Sequence, residues 1–218
     1  MLSVVVPTLD AGATLGACIE ALGSVPDLVV VDGGSRDGTR EIALAAGARV
    51  VEAPRGRGVQ LGAGAEAARE DWMLFLHADT RLACRWRGVA KEHMAGPPDI
   101  AGCFRFALDD PAWQARVIEK GVAARVKLFA LPYGDQGLLI HRSLYDEVGG
   151  YRPVPLMEDV DLVRRIGRRR LVSLPAAALT SAERWRRDGW VRRSGRNLLC
   201  LALHRLGMRE DKVKRLYG

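Results

Sequence analysis

Three clusters of carboxylates and one glycine–arginine segment carry the side chains with chemical potential in this sequence. Asp32-Gly33-Gly34-Ser35-Arg36-Asp37-Gly38-Thr39 joins an acceptor carboxylate to glycines that permit a sharp turn and a close approach of backbone to ligand. Asp32 can accept a hydrogen bond from a nucleobase or a ribose, and Asp37 or Thr39 can cap a following helix. His77-Ala78-Asp79 offers a carboxylate and an imidazole. A hard divalent cation, manganese or magnesium, binds through carboxylate oxygens, phosphate oxygens and water and so offsets the charge of a diphosphate. Asp79 is the candidate metal ligand, and His77 a second ligand or a hydrogen-bond partner. Pro54-Arg55-Gly56-Arg57-Gly58-Val59-Gln60 sets two arginines at a helix start, where guanidinium forks and unpaired N–H groups both attract phosphate.

Glu158-Asp159-Val160-Asp161 opens a helical pattern over residues 157–168. At 3.6 residues per turn Asp159 shares a face with Leu162, Val163 and Ile166, whereas Asp161 shares the other with Arg164, Arg165 and Arg168. Asp159 is therefore expected on the buried stripe, where a carboxylate needs a partner or a task. Glu158 should point about 100° away. Each cluster also fits a plainer role: an Asp-Gly turn, a polar strand-end loop, a solvated basic loop, a surface ion pair between Asp161 and Arg165. Gly62-Ala63-Gly64 lies within a helix pattern and not after a strand, so it does not make a dinucleotide fingerprint.

The elements that position these residues follow a β-α-β-α rhythm. Residues 3–6, 28–31 and 72–76 are short apolar runs without polar alternation, as in parallel strands covered on both faces. Helical patterns at 14–22, 39–46 and 60–69 separate them, and Gly47 stands where a C-terminal cap is expected. The order predicts an α/β fold with a doubly wound, mostly parallel sheet flanked by helices. Ligands bind outside the carboxyl ends of such strands, which is where Pro7-Thr8-Leu9-Asp10, Asp32-Gly33-Gly34-Ser35 and His77-Ala78-Asp79 fall. Beyond residue 80 the pattern reads as strands at 100–108, 138–141 and 171–174 and helices at 113–128, 143–148, 157–168 and 198–206.

The chain has 218 residues, of which 48% are hydrophobic and 27% charged, the balance of one soluble globular domain. Its four cysteines show no metal-binding spacing, which fits a reducing cytoplasmic setting. No signal peptide is visible, and no apolar run approaches the ~18 residues that span a bilayer. A net charge of +7 favours anionic partners without choosing among nucleotides, nucleic acid and acidic lipid.

Taken together, and in order over residues 2–165, these segments resemble glycosyltransferase family 2, the inverting enzymes of the GT-A fold. Ser3-Val4-Val5-Val6-Pro7-Thr8-Leu9-Asp10 is similar to that family's opening strand and first base-binding turn, and the Asp32–Thr39 segment to its second nucleotide loop. His77-Ala78-Asp79 stands where the family carries a metal-binding D-x-D. Gly134-Asp135-Gln136-Gly137 resembles its acceptor-side loop, and Glu158-Asp159 the pair that includes the catalytic base. The resemblance implies a GT-A sheet, mixed but mostly parallel, in a single domain with a nucleotide-binding half (1–80) and an acceptor half (81–218) ending in basic helices. It implies transfer of one sugar, with inversion, from a nucleotide-diphosphate donor, UDP favoured, to an acceptor hydroxyl. Pro7, Thr8, Asp10, Asp32, Ser35, Arg55, Arg57, Gln60 and Asp79 would bind the donor. Gly134, Asp135, Gln136 and Glu158 would face the acceptor, Asp159 would be the base, and a divalent cation would sit at Asp79 and His77.

Two departures stand out. His77 replaces the first Asp of D-x-D, and Ser181-Ala182-Glu183-Arg184-Trp185 resembles the Q-x-x-R-W of processive members without its Gln, which argues against a polysaccharide synthase. The short length, the segment 54–60 and His77-Ala78-Asp79-Thr80 are most similar to a small bacterial subgroup associated with arsenosugar biosynthesis. A sugar-nucleotide pyrophosphorylase-like enzyme is the alternative, but it would carry a glycine-rich loop after the first strand where this chain has Pro7-Thr8-Leu9-Asp10. The arginines and tryptophans of residues 184–196 suit a nucleic-acid groove, a peripheral membrane contact at the inner face, or a solvated helix with its tryptophans in the core. Of these, no nucleic acid is expected.

Overall fold

The structure, a computed structural model, describes residues 1–154 and 156–205; Leu206, at the end of the expected last helix, lies outside the described residues. Four parallel strands form the first half of the sheet: β1 (Leu2–Thr8), β2 (Asp27–Asp32), β3 (Arg49–Glu52) and β4 (Trp72–Phe75), in the order β3-β2-β1-β4. Helices α1 (Gly12–Leu22), α2 (Thr39–Ala45) and α3 (Arg57–Ala67) connect them. The unbroken valine runs have the expected reason. Val4, Val6, Val30 and Leu74 pack with Leu15, Cys18, Leu22 and Ala43 on one face. Val5, Val29, Val31, Met73 and Phe75 pack with Leu61 and Ala65 of α3 on the other. Burial contributes roughly 1.5–3 kcal/mol for each large aliphatic side chain so covered. Helix α3 lies so close that a Cβ on Gly64 would overlap the Val5 side chain and come within 2.9 Å of Val31 Cγ2. Gly47 takes a positive φ of 74° and closes α2, its N–H donating to Leu44 O.

The second half holds β5 (Thr80–Leu82), α4 (Trp86–Met94), β6 (Ala101–Leu108), α5 (Trp113–Phe129), a 3-10 turn (Gly134–Gln136) and β7 (Leu138–His141). It continues with α6 (Arg142–Glu147), α7 (Glu158–Ile166), a second 3-10 turn (Arg168–Arg170), β8 (Leu171–Thr180), α8 (Glu183–Asp188) and α9 (Trp190–Arg205). The full sheet runs β3-β2-β1-β4-β7-β6-β8-β5, with antiparallel pairing at β4–β7, β6–β7 and β5–β8. The parallel half is therefore joined to a mixed half at β4. Strand β5 stands four places from β4, about 19 Å along a flat sheet. Yet only the segment 76–79 separates them, and it is turned, Thr80 N–H donating to His77 O at 3.1 Å. The sheet must curl to bring β5 back beside the end of β4.

Several short elements had no assigned segment in the sequence, among them β3, β5, α4 and α8. Strand β3 is a half-buried edge strand, and β5 has three residues, too few for a period. Strand β8 runs to Thr180, where the sequence suggests an end at 174. Pro175 masked the continuation. The register with β6 jumps from Phe104↔Leu174 to Arg105↔Ala177, so Pro175 and Ala176 sit in a bulge where no ladder donor is required.

Candidate active site

The carboxyl ends of β1 and β2 form a wall held together by side chains. Asp32 accepts from the Gly34 and Ser35 N–H groups at 3.1 and 3.0 Å, from Thr8 Oγ1 at 3.2 Å and from the Ser35 hydroxyl. Burial alone would raise its pKa, but the Ser35, Gly34 and Thr8 hydrogen bonds outweigh burial and hold the carboxyl below the usual range. The Asp10 N–H donates to Ser35 Oγ and the Arg36 N–H to Asp10 Oδ1, both at 2.9 Å, which clasps the two loops together. Gln60 is buried: its amide donates to Thr8 O at 2.7 Å and Val31 O at 2.9 Å, so it ties β1 to β2 from below. Thr8, Asp32 and Gln60 are thus the frame of this wall, while Asp10 lies exposed at its rim and Pro7 and Ser35 are half-buried. Arg55 is exposed and does not line the cleft next to this wall.

That cleft opens at the β4 switch point. A cavity of about 100 Å³ is lined by Arg57, His77, Asp79, Tyr133, Gly134, Asp135, Asp159, Thr180, Ser181, Trp185 and Arg193, with Leu156 and Met157. Five of the residues singled out in the sequence around residues 77–79, 134–135 and 159 converge here from β4, the 3-10 turn and α7. Asp159 is held by two backbone donors, Gly134 N–H on Oδ2 at 2.6 Å and Val160 N–H on Oδ1 at 2.8 Å. Gly134 is glycine for contact reasons, since a Cβ there would overlap His77 Nε2 and lie 3.4 Å from Asp159 Oδ2. Gln136 is buried below the cleft and donates to Phe104 O at 3.0 Å, making it a support of the loop and not part of its face.

The α7 faces differ from expectation. Glu158, not Asp159, is the buried carboxylate: it is 2% exposed and accepts from Arg57 Nη1 at 3.2 Å. Burial pushes its pKa up; Arg57 pulls it down, and neighbouring Asp159 adds to the rise. Asp159 is half-buried and faces the cavity. The expected faces were exchanged because Arg57 reaches Glu158 and lets that carboxylate be buried, while the cleft removes packing from the side of α7 that carries Asp159. Asp161 pairs with Arg165 at 2.6 Å, as its spacing predicts.

Two carboxylate oxygens in the cleft, Asp79 Oδ1 and Asp135 Oδ1, are buried without a hydrogen-bond partner. Orphaned acceptors of this kind are costly unless something positive meets them. Burial, foremost, together with Asp159 and Asp79, raises the Asp135 carboxyl to about 7 against the pull of Arg125 and Arg57. Among the described residues no three His, Cys, Asp or Glu side chains converge as a closed metal cage. The donor set instead fits a cation held by one or two protein ligands, with ligand oxygens and water completing the shell.

Sequence reasoning did not find Trp185, Arg193, Tyr133, Thr180 or Ser181. Trp185 and Arg193 are buried against the cleft; the likeness of residues 181–185 to Q-x-x-R-W and the reading of its tryptophans as core were signals for Trp185, and nothing local marked Arg193. The expected basic surface of residues 184–196 is partly consumed. Arg186 pairs with Asp110 at 2.5 Å, and Arg187 and Arg193 pair with Asp188 at 2.9 and 3.2 Å.

A parallel first half, a mixed second half and a carboxylate-lined cleft at their junction define a GT-A fold. The chain belongs to glycosyl transferase family 2, whose model matches residues 3–153. It is 37% identical over 92 residues to a glucosyl-3-phosphoglycerate synthase of Mycolicibacterium paratuberculosis, covering 36% of this chain and 28% of that one. It is 34% identical over 93 residues to a PGL/p-HBAD biosynthesis glycosyltransferase of Mycobacterium tuberculosis, covering 38% and 36%. The matches thus span about a third of these relatives' lengths. Among solved structures, the glucosyl-3-phosphoglycerate synthase of Mycobacterium tuberculosis with Mn2+, UDP and glucosyl-3-phosphoglycerate is similar with a TM-score of 0.60 and 19% identity, covering 96% of this chain and 81% of that one. A mannosyltransferase from Pyrobaculum calidifontis in complex with GDP-Man and Mn2+ is similar with a TM-score of 0.64 and 17% identity, covering 82% and 56%.

Proposed function

We propose that this chain is an inverting, metal-dependent glycosyltransferase that moves a single sugar from a nucleotide-diphosphate donor to an acceptor hydroxyl. The observation that carries this reading is the convergence of Asp79, Asp135 and Asp159 in one cleft at the edge of the nucleotide half. Asp79, with His77 beside it, would hold the divalent cation, which neutralises charge developing on the diphosphate. The frame of Thr8, Asp32 and Gln60 presents the loops that meet the nucleoside, and Arg57 stands at the helix start on the phosphate side. UDP is the favoured base, on the strength of the glucosyl-3-phosphoglycerate synthase likeness, although the mannosyltransferase neighbour carries GDP-Man.

Direct displacement at the anomeric carbon requires the acceptor oxygen to attack from the side opposite the diphosphate, and a base to take its proton as the bond forms. Asp159 is that base: it lines the cleft, and two backbone N–H groups fix its carboxylate from behind. Asp135 and Tyr133 border the acceptor side. The arsenosugar likeness rests on length, residues 54–60 and the His77–Thr80 tetrapeptide alone, and the named relatives give it no support.

Thermal shift with nucleoside diphosphates, with and without manganese, tests the reading. UDP at 100 times its dissociation constant should add about 2.7 kcal/mol of stability, a rise of roughly 2–4 °C for each kcal/mol in a chain of this size. Asp79→Ala should abolish the manganese requirement of that shift. Absence of any shift with UDP, GDP or other nucleoside diphosphates in manganese or magnesium would overturn it.

A further inference from the structure

Helix α5 is packed on one side only. Ala115, Ile118 and Val122 face inward to Phe106, Leu108 and Trp185. Its outward side is apolar as well: Trp113 is 70% exposed, Val117 56% and Leu128 60%. Ala124 and Gly121 are exposed between them, with open space around Gly121. At 100° per residue Trp113, Ala124, Val117, Leu128 and Gly121 fall within a sector of about 80°, along about 22 Å of helix. Lys120 and Lys127, both exposed, lie along one border of that stripe, and Arg116 in the same row turns its guanidinium to Leu108 O and Asp110 O. The one acid of the helix, Glu119, is turned away, accepting from Leu108 N–H at 2.7 Å and pairing with Arg116.

We infer that α5 is an in-plane docking helix for an anionic bilayer surface. Proteins that stay monomeric and free in water rarely leave a continuous apolar stripe exposed. A stripe bordered by a basic row matches interfacial burial of the apolar side with the cations among anionic headgroups. The charge argues against a second copy as the occupant. A self-complementary contact through this stripe would bring the two basic rows together, in chains that each carry +7. Among the described residues no helix is long and apolar enough to cross a membrane, so the contact is one of surface docking.

The helix is coupled to the cleft. Just past its C-terminus Ala130 turns with φ 49°, and Arg125 reaches back to donate to Leu131 O at 2.9 Å and lies 3.6 Å over the Tyr133 ring. Tyr133 and the next two residues line the cleft. Docking of α5 therefore sets the acceptor-side wall next to the bilayer, and the acceptor would be an amphiphile presenting its hydroxyl at that surface. This last step rests on the transferase reading; the docking does not.

Vesicle flotation of the full chain tests it, with phosphatidylcholine vesicles and with vesicles that also contain phosphatidylglycerol. The protein should float with the anionic vesicles and remain unbound with the neutral ones. Val117→Asp with Leu128→Asp, and separately Lys120→Glu with Lys127→Glu, should each weaken partitioning by about tenfold or more. Melting temperature and the manganese-dependent UDP shift should stay at wild-type values in both variants, since none of these residues touches the core or the cleft. Absence of wild-type binding to anionic vesicles, or binding that the Val117/Leu128 variant retains, overturns the docking. So does a dimer in sedimentation velocity that this variant dissolves while no vesicle binding is seen. Vesicle binding without any nucleotide shift would sink the transferase reading and leave the docking standing.

Discussion

Replacing Asp159 with Asn separates the proposed base from the scaffold it rests on. The wild-type carboxylate uses both oxygens on backbone donors, Gly134 N–H and Val160 N–H. An amide has one acceptor oxygen, so one of these donors must face an NH2 group. Leaving a donor unsatisfied costs about 1–3 kcal/mol, which in a protein of this length lowers Tm by roughly 2–4 °C for each kcal/mol. That loss leaves the protein folded at 25 °C if its stability is in the usual range of about 5–15 kcal/mol. Turnover should suffer far more, by about 10²–10⁴-fold, equivalent to roughly 3–5 kcal/mol of barrier. The assay is UDP release from a UDP-sugar, first with water and then with a screened panel of hydroxyl acceptors, alongside UDP binding with manganese. Binding close to wild type with the rate lost is the expected pattern. A variant that turns over within about threefold of wild type refutes the assignment, because a missing general base costs about a hundredfold or more; Glu158 and then Asp135 would be the next candidates.

Metal-free stability should depend on pH in two opposite ways. Burial raises Asp27 and Asp32, but hydrogen bonds from Ser3, Arg69 and Arg49 to the first, and from Ser35, Gly34 and Thr8 to the second, hold both below 3.8. Their contribution is present above that value and lost as pH falls through the lower folded pKa. Asp135, raised from 3.8 to about 7 foremost by burial, behaves in reverse, contributing at low pH and losing its contribution as pH rises through about 7. In chelator, Tm should decline between about pH 4 and pH 7 and level off above, and Asp135→Asn should flatten that decline; an unchanged slope would show that Asp135 is ionised throughout. Gly134→Ala should push His77 away from its place beside the loop, costing about 1–3 kcal/mol as overpacking does and weakening the manganese-dependent UDP shift. A full shift in that variant would remove His77 from the metal site.

The parallel first half was legible because its signals are local. Valine runs buried on both faces, glycine caps and turn residues after each strand needed no distant partner to be read. The roles inside the site were less legible. Gln60 looked like a ligand contact and proved to be a tie between Thr8 and Val31, because a polar residue near a strand end gives no sign in sequence of whether it faces solvent or the frame. Glu158 and Asp159 exchanged their expected environments for a reason set by tertiary structure: a cleft opens on one side of α7 and Arg57 approaches from 101 residues away. Trp185 and Arg193 join the cleft through the packing of α8 and α9, which no local period encodes.

The curl of the sheet has a mechanical consequence. Asp79 sits in the turn that leaves the central strand β4 and enters β5 at the opposite edge, where the Thr80 and Thr180 hydroxyls meet at 3.2 Å and Ser181 N–H donates to Asp79 O at 3.4 Å. That turn is a stitch across the open seam of a rolled sheet. Strand β4 needs β7 as its neighbour, and β8 needs β5, so neither side of the stitch is complete without the other. Cleaving the chain after Thr80 should yield two fragments that fold only together, and the amides beside Asp79 should exchange with solvent as slowly as those of the core. A pull on Asp79 is then felt at once by the central strand β4 and the edge strand β5, as tension on a thread that closes the seam.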